Sequence, residues 1–155
     1  VLSRFGFSDF LTPLMVTDAT VKLYKGGLVP LAEFMEMPYK KDILEKIIIK
    51  KEPMCTSYQN LRGAEADFPI VNLAVSMNNS VYKVAVGARP KKAVPAPETA
   101  AFLAGAPMDD ETIAKAADIL AGEIPFGTNM RAGANYRQQM AKVLLKRALK
   151  EVWGC

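Results

Sequence analysis

Several places in this sequence carry residue types that hold or steer a ligand. Ser8-Asp9 sets a hydroxyl beside a carboxylate just ahead of the apolar run Phe10-Leu11-Thr12-Pro13-Leu14. Side-chain oxygens there accept the free N–H groups of a first helical turn, so either residue can cap a short helix running to Met15. Arg62 opens a polar excursion that ends at Asp67. It is either a cation available to a bound group or half of an exposed pair with Glu65 or Asp67. Arg131, close to Gly133, is placed to meet an acidic partner or a carboxylate of its own domain, and Tyr136-Arg137 reads as the anchor of a helix entrance, through stem packing and hydrogen bonds. Gly26-Gly27 runs into Leu28-Val29-Pro30, which cannot open a helix, so the pair marks a turn and not a phosphate cradle.

What is missing narrows the chemistry further. Histidine is absent, which removes Ser-His-Asp and Cys-His catalysis and histidine-ligated metals. Cys55 and Cys155 make no CxxC pair, so this chain alone is not expected to build a zinc or iron–sulfur site. Both are read as reduced thiols in a cytoplasmic setting, Cys155 as an exposed one beside the chain end. No catalytic residue and no metal ligand is therefore assigned. The net charge of +4 is spread among acids with no aromatic interleaving, which speaks against a nucleic-acid surface. Apolar runs such as Ile47-Ile48-Ile49 are strand-sized, far below the roughly 20 residues of a membrane-spanning helix. With half of its 155 residues apolar, the chain can bury a real core. It begins at Val1, without Met, in apolar-rich sequence, and is read as a processed or proteolysed piece of a longer protein.

These side chains need elements to position them. Thr20–Tyr24 alternates as a strand into the Lys25-Gly26-Gly27 turn, Val29–Met35 reads as a short edge segment and a helical turn, and Ile43–Lys50 is β-branched and strand-like. Glu52-Pro53 is the expected boundary between a unit at 1–53 and a second at 54–155. In the second unit Thr56–Leu61 reads as a strand. Val71–Met77 and Tyr82–Ala88 place a large apolar residue at every second position, as in a sheet with one face on a core. Asn78-Asn79-Ser80 fits a hairpin turn, because Asn tolerates positive φ. Arg89–Pro97, with its prolines, predicts an extended connection that leaves the sheet. Helices are expected over Glu98–Leu103, Thr112–Gly122 with Asp109 or Asp110 as cap, and Asn135–Val152. The fold class is α+β, a three-stranded antiparallel sheet packed against a three-helix layer.

The closing helix is the most specific stretch. A small-residue step, Arg131-Ala132-Gly133-Ala134, leads into Tyr136-Arg137 and then Met140-Ala141-Lys142-Val143-Leu144-Leu145-Lys146-Arg147-Ala148-Leu149. This segment resembles the last helix of the flavoprotein subunits of molybdenum hydroxylases, the FAD-carrying parts of xanthine dehydrogenase and carbon monoxide dehydrogenase relatives. The likeness extends along the chain. Phe7-Ser8-Asp9-Phe10-Leu11 resembles the family's Ser-Asp-Leu segment, Val29-Pro30-Leu31-Ala32-Glu33-Phe34 its Val-Pro-Leu-x-x-Phe, and Asp42-Ile43-Leu44-Glu45-Lys46-Ile47 its Glu-Ile-Leu-x-x-Ile. Asp67-Phe68-Pro69-Ile70-Val71-Asn72-Leu73 looks like the entry to the C-terminal domain, and Val86-Gly87-Ala88-Arg89-Pro90 like the step after its second strand.

The resemblance implies that residues 1–53 end the second FAD-binding subdomain and that 54–155 form the flavoprotein C-terminal α+β domain. It implies FAD contacts at Asp9 near the ribityl and phosphate region, with Ser8 beside it, and at Leu44 against the isoalloxazine. The residues read alone favour a helix cap and plain core for these three. Where many members place a lysine near the flavin, this sequence has Tyr58-Gln59-Asn60, which leaves Arg62 as the nearest cation. In the family the glycine-rich phosphate loop lies in an N-terminal subdomain outside this chain, so FAD is implied for the full-length subunit and expected to be absent from the fragment. The implied complex is xanthine or purine dehydrogenase-like. Its large subunit carries a molybdenum cofactor and its small subunit [2Fe-2S] clusters, and electrons pass through FAD to NAD or another acceptor. A non-catalytic docking module that holds subunits of a redox complex together is the alternative. Neither reading involves nucleic acid or a membrane.

Overall fold

The computed structural model describes residues 1–38 and 41–155. Its first part winds a small antiparallel sheet around apolar side chains. A short helix α1 (Leu11–Leu14) leads to β1 (Thr20–Leu23), β2 (Gly27–Pro30), helix α2 (Leu31–Glu36) and β3 (Leu44–Ile48), with strand order β2-β1-β3. Alternation turns Val21, Leu23 and Val29 inward, where they pack with Leu11, Leu14, Phe34 and Met35. Gly27, at φ +71°, closes the turn between β1 and β2, a backbone state in which a Cβ is strained.

The second part holds the larger core. Strands β4 (Cys55–Leu61), β5 (Val71–Asn78) and β6 (Val81–Gly87) form the expected antiparallel sheet, followed by helices α3 (Pro97–Ala104), α4 (Asp110–Glu123) and α5 (Ala134–Trp153). One detail of the connection after β6 differs from expectation: Val94–Pro95 pairs with Val86 and Ala85 as a two-residue strand, β7, giving the order β4-β5-β6-β7. Asn79 and Ser80, at φ 48° and 64°, make the β5–β6 turn. Of the two candidate caps, Asp109 is used, accepting the Thr112 N–H at 2.7 Å. Leu73, Val75 and Val86 on the sheet meet Leu120, Leu145 and Leu149 from α4 and α5, all without solvent exposure. Trp153 donates its ring N–H to the Tyr82 hydroxyl at 2.8 Å. Among the described residues no helix is long and apolar enough to cross a membrane.

The other face of β5 is covered as well, where the alternation predicts a sheet with a single buried face. The intervening residues Asn72, Ala74 and Ser76 are all buried, and their small or polar side chains let the segment around α1 lie directly on the sheet. Ser76 Oγ donates to the Val16 carbonyl at 2.7 Å, and Thr12 Oγ1 donates to Asn72 Oδ1 at 2.9 Å. Gly87 belongs to the same contact: a Cβ there would collide with both Thr12 Oγ1 and Asn72 Oδ1.

The cysteines require a correction. Neither is a free thiol; Cys55, at the first position of β4, and Cys155, past the end of α5, form a disulfide with Cα atoms 5.9 Å apart. Antiparallel packing of α5 along β4 brings the two chain positions together, a proximity that sequence spacing does not announce. In the core, Leu145→Ala removes a fully buried side chain from the junction of sheet and helices, and is expected to destabilise the fold by about 2–5 kcal/mol, read as a lower urea midpoint at unchanged slope.

Candidate functional site

The expected polar residues converge at the junction of α1, β4 and β5. Ser8 accepts the Leu11 N–H at 3.1 Å, so it caps α1 and fixes the direction in which the next side chain leaves the loop. That side chain is Asp9. Its Oδ1 accepts two hydrogen bonds, from Arg62 Nη2 and from the Tyr58 hydroxyl, each at 2.5 Å. Tyr58 in turn accepts from Asn72 Nδ2 at 3.0 Å, and the same amide nitrogen reaches the Ser8 carbonyl at 3.4 Å. Thr12 completes the chain on the far side of Asn72.

Strand geometry explains why these groups meet. Tyr58 on β4 pairs with Ala74 on β5, and Asn60 pairs with Asn72, so Tyr58 and Asn72 are diagonal neighbours. Arg62 follows directly on β4, and its remaining donors are used locally, Nε to Asn60 Oδ1 at 2.8 Å and Nη1 to the Asp67 carbonyl at 2.7 Å. Arg62 therefore pairs with Asp9, not with the side chain of Glu65 or Asp67. The Asp67 carboxylate is engaged by Arg131, which also donates to the Phe68 carbonyl at 2.6 Å. Of the two readings of Arg131, the carboxylate of its own chain is the one realised.

Arg137 supports this end of the sheet from beneath. It is 1% exposed, and donates to the Ile70 carbonyl, to the Ala88 carbonyl at 2.7 Å and to Asn129 Oδ1 at 2.5 Å. Burial, with Arg131 nearby, pulls its pKa below the usual arginine value. Of the pair expected to anchor the α5 entrance, Arg137 does so, tying the start of β5 and the end of β6 to the loop before α5, while Tyr136 is exposed.

Ser8, Asp9 and Arg62 are brought together. Leu44 stands apart on β3, half-buried against the cluster of Val21, Leu23 and Phe34, and shares neither a hydrogen bond nor an apolar cluster with the other three. Sequence reasoning missed Tyr58, Asn72 and Thr12 as partners. A signal for Asn72 was present, a full-sized amide set in an otherwise apolar strand, since a buried amide requires partners. Beside the site Phe5, Phe7 and Phe68 form an exposed aromatic row, with ring centroids 5.3 Å and 4.3 Å apart.

Chemically the arrangement presents a hydrogen-bond acceptor. The Asp9 side chain is 42% exposed, and its charge is matched by Arg62. Its second oxygen, Oδ2, meets no hydrogen-bond donor among the described residues and is free to accept from a ligand hydroxyl or N–H. Burial first, and then the bond to Asp9, push the Tyr58 phenol well above its ordinary pKa, so it acts as a fixed donor and not as a base. Among the described residues no three potential metal ligands stand together.

Comparison with known proteins gives a consistent outcome. The model of the CO dehydrogenase flavoprotein C-terminal domain matches residues 56–152. Among solved structures, the reconstituted CO dehydrogenase from Oligotropha carboxidovorans aligns with TM-score 0.86 and 20% identity, covering 99% of this chain and 59% of that one. The carbon monoxide dehydrogenase from Hydrogenophaga pseudoflava that lacks the Mo-pyranopterin moiety aligns with TM-score 0.86 and 21% identity, over 99% of this chain and 58% of that one. Quinoline 2-oxidoreductase from Pseudomonas putida 86 aligns with TM-score 0.83 and 19% identity, over 97% and 58%. At these identities the likeness is one of fold, and this chain spans less than two thirds of each relative's length. No curated protein matches the sequence.

The site makes a pH prediction. Because the folded protein holds the Tyr58 proton above pH 10, where the unfolded chain releases it, the stabilisation is complete below that pH and is lost as pH rises beyond it. Tyr58→Phe is expected to cost about 1–2 kcal/mol at pH 7, by leaving Asp9 one donor short. It is also expected to flatten the alkaline decline, compared in urea titrations at pH 7, 10 and 11.

Proposed function

The chain belongs to the family of CO dehydrogenase flavoprotein C-terminal domains, the closing part of molybdenum hydroxylase flavoproteins, and from that premise we propose that it works as the rear portion of an FAD-holding subunit in a multi-subunit oxidoreductase. In this reading residues 1–53 end the FAD-binding subdomain and 54–155 form the C-terminal domain. Two separate sheets, each with its own apolar cluster, support that division.

The observation that carries the reading is the Asp9 carboxylate, presented at a chain junction with one oxygen anchored twice and the other open. A flavin's ribityl chain is a row of hydroxyl donors, and an oriented carboxylate suits it. The residues present fit that part of the group. The diphosphate finds no glycine-rich cradle in this sequence, and its grip belongs to a segment outside the chain. Ser8 would orient Asp9, Arg62 would balance its charge, and Leu44 would offer an apolar contact to the ring system.

FAD supplies the electron chemistry when bound, and the protein contributes position and electrostatics. The finer assignments rest on the sequence resemblance: a xanthine or purine dehydrogenase-like complex, a molybdenum-binding large subunit, a [2Fe-2S] small subunit, and NAD or another acceptor at the end; the cytoplasmic setting, read from two reduced thiols, loses that support with the cysteines paired. The fragment alone would be inactive and free of FAD. A docking role, holding the subunits of a redox complex together, is favoured by one specific feature, the exposed row Phe5, Phe7 and Phe68, since apolar rings left in water mark contact surfaces.

Flavin absorbance of the purified full-length subunit tests the proposal. Asp9→Ala is expected to weaken FAD binding about tenfold, or ~1.4 kcal/mol, with an unchanged far-ultraviolet spectrum. A full-length protein that stays colourless with added FAD would leave docking as the function.

A further inference from the structure

We propose that Cys55–Cys155 is a reversible thiol–disulfide site that sets how firmly the edge strand β4 is held, with a dithiol as its reductant. The placement is specific. β4 is the outer strand of its sheet, hydrogen-bonded on one side only, to β5. Besides apolar packing on the core and the Tyr58 bond to Asp9, two devices tie its outer side to the last turns of α5. One is Glu151, whose carboxylate accepts from Ser57 Oγ at 2.5 Å and from Gln59 Nε2 at 2.8 Å. The other is the disulfide, which closes a loop of sequence separation 100 and fastens the first residue of the strand to the last residue of the chain.

Access favours reversibility. Cys155 is exposed, Cys55 is half-buried, and the pair opens onto a cleft of about 730 Å³ lined by Pro53, Met54, Met77 and Asn78. Disulfides that reducing agents reach are the labile ones. Reduction begins when a thiolate of the dithiol attacks the exposed Cys155 sulfur. The S–S bond breaks, and Cys55 leaves as a thiolate and takes up a proton. The second thiol of the reagent then attacks the mixed disulfide, closes the reagent's own disulfide and releases the Cys155 thiol. Two electrons and two protons pass from the dithiol to the protein.

The consequence lies along the strand. Tyr58 and Arg62, the two donors to Asp9, both belong to β4 or its immediate continuation. Opening the disulfide leaves β4 held at that end by its ladder to β5 and by Glu151, with no covalent tie, so the strand frays more readily from residue 55 toward the Asp9 network while the buried stretches of β5 and β6 stay closed. This inference goes beyond the flavin reading and does not depend on it.

The test uses the full-length protein, without added flavin, in oxidised form, after dithiothreitol, and as Cys155→Ser. Alkylation and intact mass count the thiols, and amide hydrogen exchange reads each strand. The expected result is two new thiols under native conditions, exchange about tenfold faster over residues 55–61, unchanged exchange over 71–87, and recovery on reoxidation. Cys155→Ser reproduces the reduced pattern. A disulfide that dithiothreitol opens only after denaturation, cysteines that stay free under oxidising buffer, or exchange that is unchanged in β4 or raised equally throughout the sheet would each overturn it.

Discussion

The close approach of α1 to the second face of β5 is the constraint on which the rest of this protein depends. Two polypeptide segments about sixty residues apart meet through the Thr12–Asn72 hydrogen bond, and the meeting is possible because Gly87, on the neighbouring strand, has no side chain to intrude. A buried amide without partners is costly, so Asn72 acts as a demand that the surrounding chain satisfies from three directions: Thr12, the Ser8 carbonyl and Tyr58. Once those bonds form, the loop carrying Asp9 has little freedom. The candidate site is thus a by-product of how the first sheet is joined to the second.

Charge is handled differently at the two depths of the same region. Near the surface, Arg62 and Arg131 meet carboxylates, Asp9 and Asp67. Beneath them Arg137 is buried with carbonyl and amide oxygens as acceptors, and Arg89, also buried, donates to the Lys92 and Pro125 carbonyls at 3.1 and 2.8 Å. A guanidinium's planar fork reaches several backbone oxygens at once, which suits it to joining strand ends that lack regular partners. These two residues stitch the ends of β5 and β6 to the loops around them.

Much of this was legible in the residues. Periodicity located β5, β6 and the long closing helix, cap and stop residues bounded the two helices before it, and the Asn-Asn-Ser step marked its turn through tolerance of positive φ. Ser8 and Asp9 are legible on their own as a helix cap, and their naming as site residues, like that of Arg62, comes with the family resemblance. Less accessible was everything that depends on packing between distant segments. The small residues between the large ones in β5 read as a solvent face, whereas they mark the place where α1 lies close. The two cysteines looked unpaired because their proximity arises from the run of α5 along β4. Arg62 reads either as a cation for a bound group or as a partner of nearby Glu65 or Asp67, because its actual partner, Asp9, sits fifty-three positions earlier.

The prolines at the margins carry a further meaning. β2 ends in Pro30 and β7 in Pro95, each on an outer strand of its sheet. A residue that lacks an amide hydrogen cannot extend a ladder, and strands this short offer little template for another chain. Each sheet therefore has a flank that rejects strand addition, and at those flanks crowded molecules have no purchase for fibril-like stacking.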